Sequence, residues 1–476
     1  MQRILIIGAS GYVGSHLTPV LVQKGYQVTA TARNIKPLQH RGWHKYKNLN
    51  LHPLDLKSPS ALPQLLHQHD VVLFLVHGMA HGHDFIDYEL DLAHNFRDAL
   101  KKSKIKHVIY LSAIQPQKGT SAHLATRKAT GDILRQSEIP ITELRAGIII
   151  GSGSAAFEVM RDFVYHLPLL IAPKGVASLS APIALPNLIY YLLKLLDSEP
   201  ERHQVFDVAG PEIISYEQQM QVLANQTGKR LRMVSLPFFP LKLSTYWLKV
   251  VTSVPHDIAS ALVSGIKHNL PADNQAICKR YPQRLLTFEE SVDEALNHEN
   301  EAIRNNLWGF DPSALTRWQT GYGYYPKQTG YKVQTTASSE QLWSTIKTLG
   351  GSHEYFYANY LWRIREWIDV LCGGNATTRR RAFPDELKTG DHIDSWKIIK
   401  VEENKFVSLL FGMKAPGLGR LEFTITDMGD KRELDVRAWW HPAGFKGLLY
   451  WFAMMPTHLF IFKGMAKSIS HKAEKD

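Results

Sequence analysis

A parallel α/β sheet covered on both faces, followed by a separate α+β module, is the fold class this sequence predicts. Three observations carry it. Through the first 150 residues, short apolar runs alternate with helix-length amphipathic segments, the pattern of successive βαβ units. The runs themselves, such as Val71-Val72-Leu73-Phe74-Leu75-Val76, are apolar throughout, as strands buried on both sides by crossover helices must be. Between the first run and the first helical segment lies Gly8-Ala9-Ser10-Gly11-Tyr12-Val13-Gly14, where a Rossmann-type doubly wound sheet places its glycine-rich turn.

Taken in order, strands are expected at Arg3–Gly8, Gln27–Arg33, a third ending near Asp55, then Val71–His77, His107–Ser112 and Ile141–Ile150. Residues 151–330 are less regular, with a helical segment at Tyr216–Thr227 and a proline-containing stretch at Leu236-Pro237-Phe238-Phe239-Pro240. They read as a substrate-side extension of the first domain. Gly321-Tyr322-Gly323-Tyr324-Tyr325-Pro326 has the composition of an irregular connector, which sets a domain boundary near residue 330 and two domains, 1–330 and 331–476. Beyond it, Val407–Phe411, Gly419–Thr426 and Glu433–Trp440 have strand composition, and Gly444–Lys467 reads as one long apolar helix interrupted at Pro456.

Composition narrows the function classes. A chain of 476 residues exceeds what one hydrophobic core organises, and 44% hydrophobic with 21% charged content excludes disordered and fibrous classes. Two cysteines, Cys278 and Cys372, cannot build a disulfide framework, which suits a reducing, cytoplasmic setting. The apolar segment Ile4 to Gly8 is too short for an export signal. Gly447 to Phe462 falls short of the roughly 20 residues of a spanning helix, but its aromatic content admits peripheral contact with the inner face of a membrane. The net charge of +11 is spread along the chain, with 34 Lys and Arg against 27 Asp and Glu in residues 1–330 and 21 against 17 beyond. That distribution argues against nucleic acid as a partner, and Arg379-Arg380-Arg381 reads as a solvated loop.

The glycine turn lets the backbone approach a pyrophosphate and aims helix N–H groups at it. The second strand ends Thr31-Ala32-Arg33-Asn34, with an arginine where an NAD site would carry an acid. Arg33 can pair with a 2′-phosphate and stack on adenine, so NADP(H) is favoured over NAD(H). Asp55-Leu56 is placed to accept from the adenine amino group, with turn capping an equal alternative for Asp55. His77, at the end of the fourth strand, falls near the cofactor ribose and nicotinamide. His77, His81 and His83 with Asp84 could gather a metal, but the bland reading of solvent-facing histidines is preferred and no metal is expected.

These residues, together with Ser112, Leu144-Arg145-Ala146-Gly147 and Gly151-Ser152-Gly153, resemble the extended and atypical short-chain dehydrogenase/reductases over about the first 300 residues. His123-Leu124-Ala125-Thr126-Arg127, Gly151–Phe157 and Leu167-Pro168 look more specifically like the YbjT-like NAD(P)-binding proteins, in which a DUF2867 domain follows. Trp362-Arg363-Ile364-Arg365, Leu371-Cys372-Gly373-Gly374, Gly390-Asp391, Met413-Lys414-Ala415-Pro416-Gly417, Trp451 and Pro456-Thr457-His458 match that tandem. The resemblance implies a START-like helix-grip fold for residues 331–476, a type that commonly holds apolar ligands.

One departure matters. Family members carry a Tyr with a Lys four residues later, the phenol moving the proton and the ammonium lowering its pKa. Here His123 and Arg127 stand at that spacing, with Ser112 upstream. Two readings follow. In the first, the chain is an oxidoreductase on a hydrophobic carbonyl, enone or quinone-like substrate, with His123 as a general acid near neutral pH, Ser112 orienting the carbonyl and Arg127 holding the cofactor. In the second it is a non-catalytic NADPH sensor or ligand-binding protein. The residues leave substrate and oligomeric state open.

Overall fold

The computed structural model describes residues 2–39, 41–167, 169–236, 248–306, 312–350, 354–374 and 386–475. The chain divides into two compact units, Met1–Gly309 and Phe310–Asp476. The boundary near residue 330 therefore moves toward the N-terminus. The connector fails as a boundary because its backbone is bonded into the second unit: Gly323 N–H donates to the Pro442 carbonyl at 3.0 Å, and Gly323 O lies 2.8 Å from Nδ1 of the buried His441.

In the first unit, β1 (Arg3–Ile7), β2 (Gln27–Ala32), β3 (Leu49–Pro53), β4 (Val71–Phe74), β5 (His107–Ala113), β6 (Ile141–Ala146) and β7 (Gln204–Val208) form one sheet in the order β7-β6-β5-β4-β1-β2-β3. Every neighbouring pair is parallel. Strand β1 shows why its run is apolar throughout: Ile4 and Ile6 enter the core on one face, Leu5 and Ile7 the core on the other. Each such side chain stabilises the fold by about 1.5–3 kcal/mol. Strand order reverses between β1 and β4, and such a reversal opens a crevice at the carboxyl edge of the sheet.

The expected strand Ile141–Ile150 is two. After β6 the chain leaves the sheet at Gly147, where a Cβ would lie 1.7 Å from the Ala181 carbonyl oxygen, and Ile149–Ile150 pairs instead with Ile183–Ala184. Helices α1 (Tyr12–Gln23), α2 (Phe85–Leu100) and α3 (Ala122–Leu134) cover the sheet. In the extension, α4 (Ala155–His166), α5 (Tyr216–Gln226) and α6 (Phe288–Asn297) share a second core of Phe157, Met160, Met220, Leu223 and Val292. The expected Tyr216–Thr227 helix starts on a capping box, Ser215 accepting from Gln218 N and Gln218 accepting from Ser215 N. Residues 237–240 of the proline stretch, Pro168 and Arg379–Arg381 lie outside the described residues.

The second unit is an antiparallel sheet with its first strand paired to its last. β8 (Lys327–Thr335), β9 (His392–Ile393), β10 (Trp396–Glu402), β11 (Phe406–Leu410), β12 (Gly417–Asp427) and β13 (Arg432–Pro442) lie in the order β8-β13-β12-β11-β10-β9. Helices α7 (Ser339–Lys347) and α8 (Asn359–Leu371) fall between β8 and β9, and α9 (Gly444–Ala473) packs on β8, β13 and α7. The interruption expected at Pro456 does not occur, and α9 runs through it for 30 residues. Pro456 lies on the exposed side of α9, where water can bond the carbonyl that the missing N–H leaves over.

Candidate functional site

The crevice is built from the turns that follow β1 to β5. At the end of β1, Gly8 has φ +96°, a conformation L side chains rarely adopt. Gly11 caps α1 with no side chain, and the first turn of α1 holds no acid to compete for its N–H groups. A Cβ on Gly14 would lie 2.5 Å from the Gly8 carbonyl oxygen, so only glycine lets α1 close onto β1. Ser10, Tyr12 and Val13 lie in the same turn. The cradle that glycines leave here is what a pyrophosphate needs.

Beside it stands a cluster of cations. Arg33, the residue after β2, places Nη1 2.9 Å from His81 Nε2 and donates to the Tyr88 hydroxyl at 3.1 Å. His81 stacks on Tyr88 with centroids 3.6 Å apart, and Lys57 Nζ lies 4.7 Å from the centroid of the same ring. Arg33 and Lys57 are exposed, and neither forms an ion pair with a carboxylate among the described residues. Burial, then the charges of Arg33 and Lys57, lower the His81 pKa. Asp55 does the capping job: its Oδ1 accepts from Lys57 N at 2.9 Å, and it holds the turn that carries that lysine. Leu56 is buried and its carbonyl accepts from Asn95 Nδ2 at 2.8 Å.

Deeper in, the arrangement differs from expectation. Arg127 does not reach toward a ligand. Its Nη1 donates to Glu89 Oε1 and to the Val76 carbonyl, each at 2.9 Å, and its Nη2 donates to the Leu111 carbonyl. Glu89 also accepts from Gly78 N at 2.6 Å. Burial raises the Glu89 pKa, but Arg127 and the Gly78 N–H outweigh it and hold the carboxylate below its usual range. Sequence reasoning expects Arg127 to hold the cofactor; in the structure these bonds tie α3 to α2 and to the ends of β4 and β5. Glu89 escaped the sequence reading, although it shares the buried stripe of Tyr88, Leu92, Ala93 and Phe96 on α2, and a carboxylate in such a stripe requires a buried cation.

His123 lies one turn before Arg127, just inside the Ser121 cap of α3. Burial, then the charge of Arg127, lowers its pKa to about 4. It is neutral at pH 7, so it cannot act there as a cationic general acid; it can still donate through a ring N–H. Its Nδ1 is buried with no hydrogen-bond partner among the described residues. His77 is the nearby imidazole, open to solvent at the crevice mouth. Crowding by protein, then Arg127, pushes its pKa below the ordinary value. Ser112, at the end of β5, is buried beside the Tyr110 phenol. Tyr110 cannot replace the missing phenol, because it is wholly buried and donates to the Arg127 carbonyl at 3.1 Å. The structure therefore brings His77, His123, Glu89 and Arg127 together, and separately Arg33, Lys57, His81 and Tyr88. Among the described residues no group of His, Cys, Asp and Glu could hold a metal ion.

Comparison with known proteins agrees with this architecture. Residues 8–163 match the family model described as NAD(P)H-binding, and residues 328–465 the one described as protein of unknown function, DUF2867. A UDP-N-acetyl-alpha-D-glucosaminuronate decarboxylase of Bacillus cytotoxicus is 31% identical over 122 residues, 23% of this chain. The match spans only 36% of that curated relative. A nucleoside-diphosphate-sugar epimerase of Staphylococcus aureus superposes with a TM-score of 0.50 at 14% identity, over 62% of this chain and 100% of that one, a likeness of fold. A UDP-glucuronic acid 4-epimerase of Bacillus cereus, solved with UDP-glucuronic acid and NAD, gives 0.49 at 17% identity over 63% and 99%. This chain joins a Rossmann-type sheet whose residues 8–163 match the NAD(P)H-binding family model to a region, residues 328–465, that matches DUF2867.

Proposed function

We propose that the first unit binds NADP(H) in preference to NAD(H), and that the chain is an oxidoreductase acting on a neutral, hydrophobic carbonyl, enone or quinone-like compound. One observation carries the cofactor preference: two exposed cations, Arg33 and Lys57, converge on Tyr88 and His81 at the ends of β2 and β3, and the nearby Asp55 carboxylate caps the turn at Lys57 N without an ion pair to either cation among the described residues. A 2′-phosphate supplies the missing negative charge, and the glycines of the Gly8–Gly14 turn fit a pyrophosphate. When bound, the nicotinamide supplies the hydride. His123 holds a ring N–H toward a carbonyl oxygen and passes it a proton that water replaces, while Ser112 helps to orient that oxygen. The substrate class is supported by charge. Glu89 and Arg127 cancel each other and the His123 imidazole is neutral at pH 7, so the inner crevice suits an uncharged group.

For the second unit, pairing of β8 with β13, the helix pair between β8 and β9, and α9 against the sheet support the START-like helix-grip reading. Its interior holds an aromatic series, Trp362, Trp396, Phe411, Trp440 and Tyr450, with successive centroids 5.2 to 6.2 Å apart.

The experiment is a titration of the purified chain with NADPH and NADH, followed by NADPH consumption with apolar ketones, enones and quinones, and UDP-glucuronic acid as the charged comparison. His123→Ala is expected to lower turnover by about 10²–10⁴ with NADPH affinity kept; unchanged turnover rejects His123. The locked Arg127 favours a second reading, a non-catalytic NADPH sensor, which predicts binding without consumption throughout.

A further inference from the structure

We infer that helices α8 and α9 of the DUF2867 domain form a docking face for an anionic lipid bilayer, lying on the surface rather than crossing it. On α8, Tyr360, Ile364, Trp367 and Leu371 are 59, 53, 67 and 85% exposed. Their spacing of 4, 3 and 4 residues puts them on one side of the helix, opposite the buried Trp362, Glu366 and Asp369. On α9, Phe445, Leu449, Phe452 and Phe460 repeat the arrangement, at 51, 61, 36 and 49% exposed, opposite the buried Gly447, Trp451, Phe462 and Met465. The two helices are antiparallel neighbours: Tyr357, just before α8, meets Phe460 at 5.2 Å, and Arg365 meets the Tyr450 hydroxyl at 3.3 Å. Two stripes of exposed apolar side chains thus lie on adjacent helices, and contiguous exposed apolar side chains of this kind mark an interaction surface.

Charge selects the partner. The 30 residues of α9 contain no Asp or Glu, but they include Lys446, Lys463 and Lys467. All three lysines are exposed. Lys463 and Lys467 continue the stripe of Phe445, Leu449 and Phe460 along the same side. Both acids of α8 are buried, Glu366 at 7% and Asp369 at 1% exposed. A second copy of this face would set lysines against lysines, since a two-fold contact presents the same patch twice. A leaflet with anionic headgroups meets both needs: aromatic and aliphatic side chains enter the headgroup boundary while the lysines stay at phosphate level. No helix among the described residues is long and apolar enough to cross a membrane.

The test floats the full chain with vesicles of phosphatidylcholine alone and of phosphatidylcholine with phosphatidylglycerol, alongside size-exclusion measurement of its mass. About tenfold or more enrichment on the phosphatidylglycerol vesicles is expected, abolished by Trp367→Asp or by Leu449→Asp and lost in high salt. Lys463→Glu with Lys467→Glu, at exposed positions, should remove the phosphatidylglycerol preference with the melting transition intact. Recovery of the chain away from both vesicles, or flotation that survives Trp367→Asp, would overturn the proposal. So would a dimer that Trp367→Asp dissolves, which would assign the face to a second copy.

Discussion

Arg33 and Arg127 sit at the same edge of one sheet, and from sequence both are expected to hold the cofactor, yet their surroundings give them opposite jobs. Arg127 is 6% exposed, paired with Glu89 and bonded to two carbonyls. Arg33 is exposed and shares its guanidinium with an imidazole and a phenol. A guanidinium whose charge is cancelled by a buried carboxylate and three of whose five N–H donors are engaged by the protein has little left for a ligand. One that faces water beside a second cation, with the nearby acid Asp55 occupied as a turn cap and not ion-paired to it, gains by meeting an anion. Whether the local charge is balanced, not position on the sheet, is what separates the two arginines, and under the proposed function it marks Arg33 as the one to meet the cofactor's phosphate.

The most severe way to break this comparison is Arg127→Met. It leaves Glu89 buried without its cation, and a loss of about 3–5 kcal/mol in denaturant stability is expected, with partial recovery when Glu89→Gln is added. Stability that holds while NADPH affinity collapses would make Arg127 a ligand residue and erase the contrast. At the outer site the expectation reverses. Arg33→Ala should weaken NADPH by about 1.5–3 kcal/mol, roughly 10- to 100-fold, because a hydrogen bond to a charged group is lost. NADH affinity and stability should hardly move. Isothermal titration with both cofactors checks this, and equal losses for NADPH and NADH would mean that Arg33 does not touch the 2′-phosphate.

Much of this was legible in the sequence because local chemistry determined it. The Gly8–Gly14 turn and the apolar strands β1, β4 and β5 follow from patterns within a few residues of each other, and so does the strand end that carries Arg33. What escaped depends on pairings across the chain. Glu89 finds Arg127 over 38 residues, and Lys57 reaches Tyr88 from another turn. Neither partner is marked by spacing. The desolvation that lowers the His123 pKa is likewise a property of the packed site, which no spacing in the sequence marks. Pro456 shows the converse: a helix breaker by rule, it is accommodated because it falls on the open side of α9.

Acid titration sharpens the same contrast with the smallest effect. In the unfolded chain His123 takes up a proton near its ordinary pKa of 6.5, whereas in the fold it does so only near 4. Between those values the unfolded state binds more protons, so stability rises with pH across that window. The contribution is complete above about pH 6.5 and is lost progressively as the pH falls toward 4. His107, also lowered to about 4 by burial, adds to the slope, so the informative quantity is the difference between a variant and its parent. His123→Gln cannot titrate and should flatten the stability profile between pH 6.5 and 4, measured by denaturant unfolding at closely spaced pH. His81→Gln should flatten it less, because His81 lies in the water-facing cluster. If His123→Gln leaves the slope unchanged, the imidazole titrates normally in the fold. The cationic general acid read from the sequence would then be restored in place of the neutral donor.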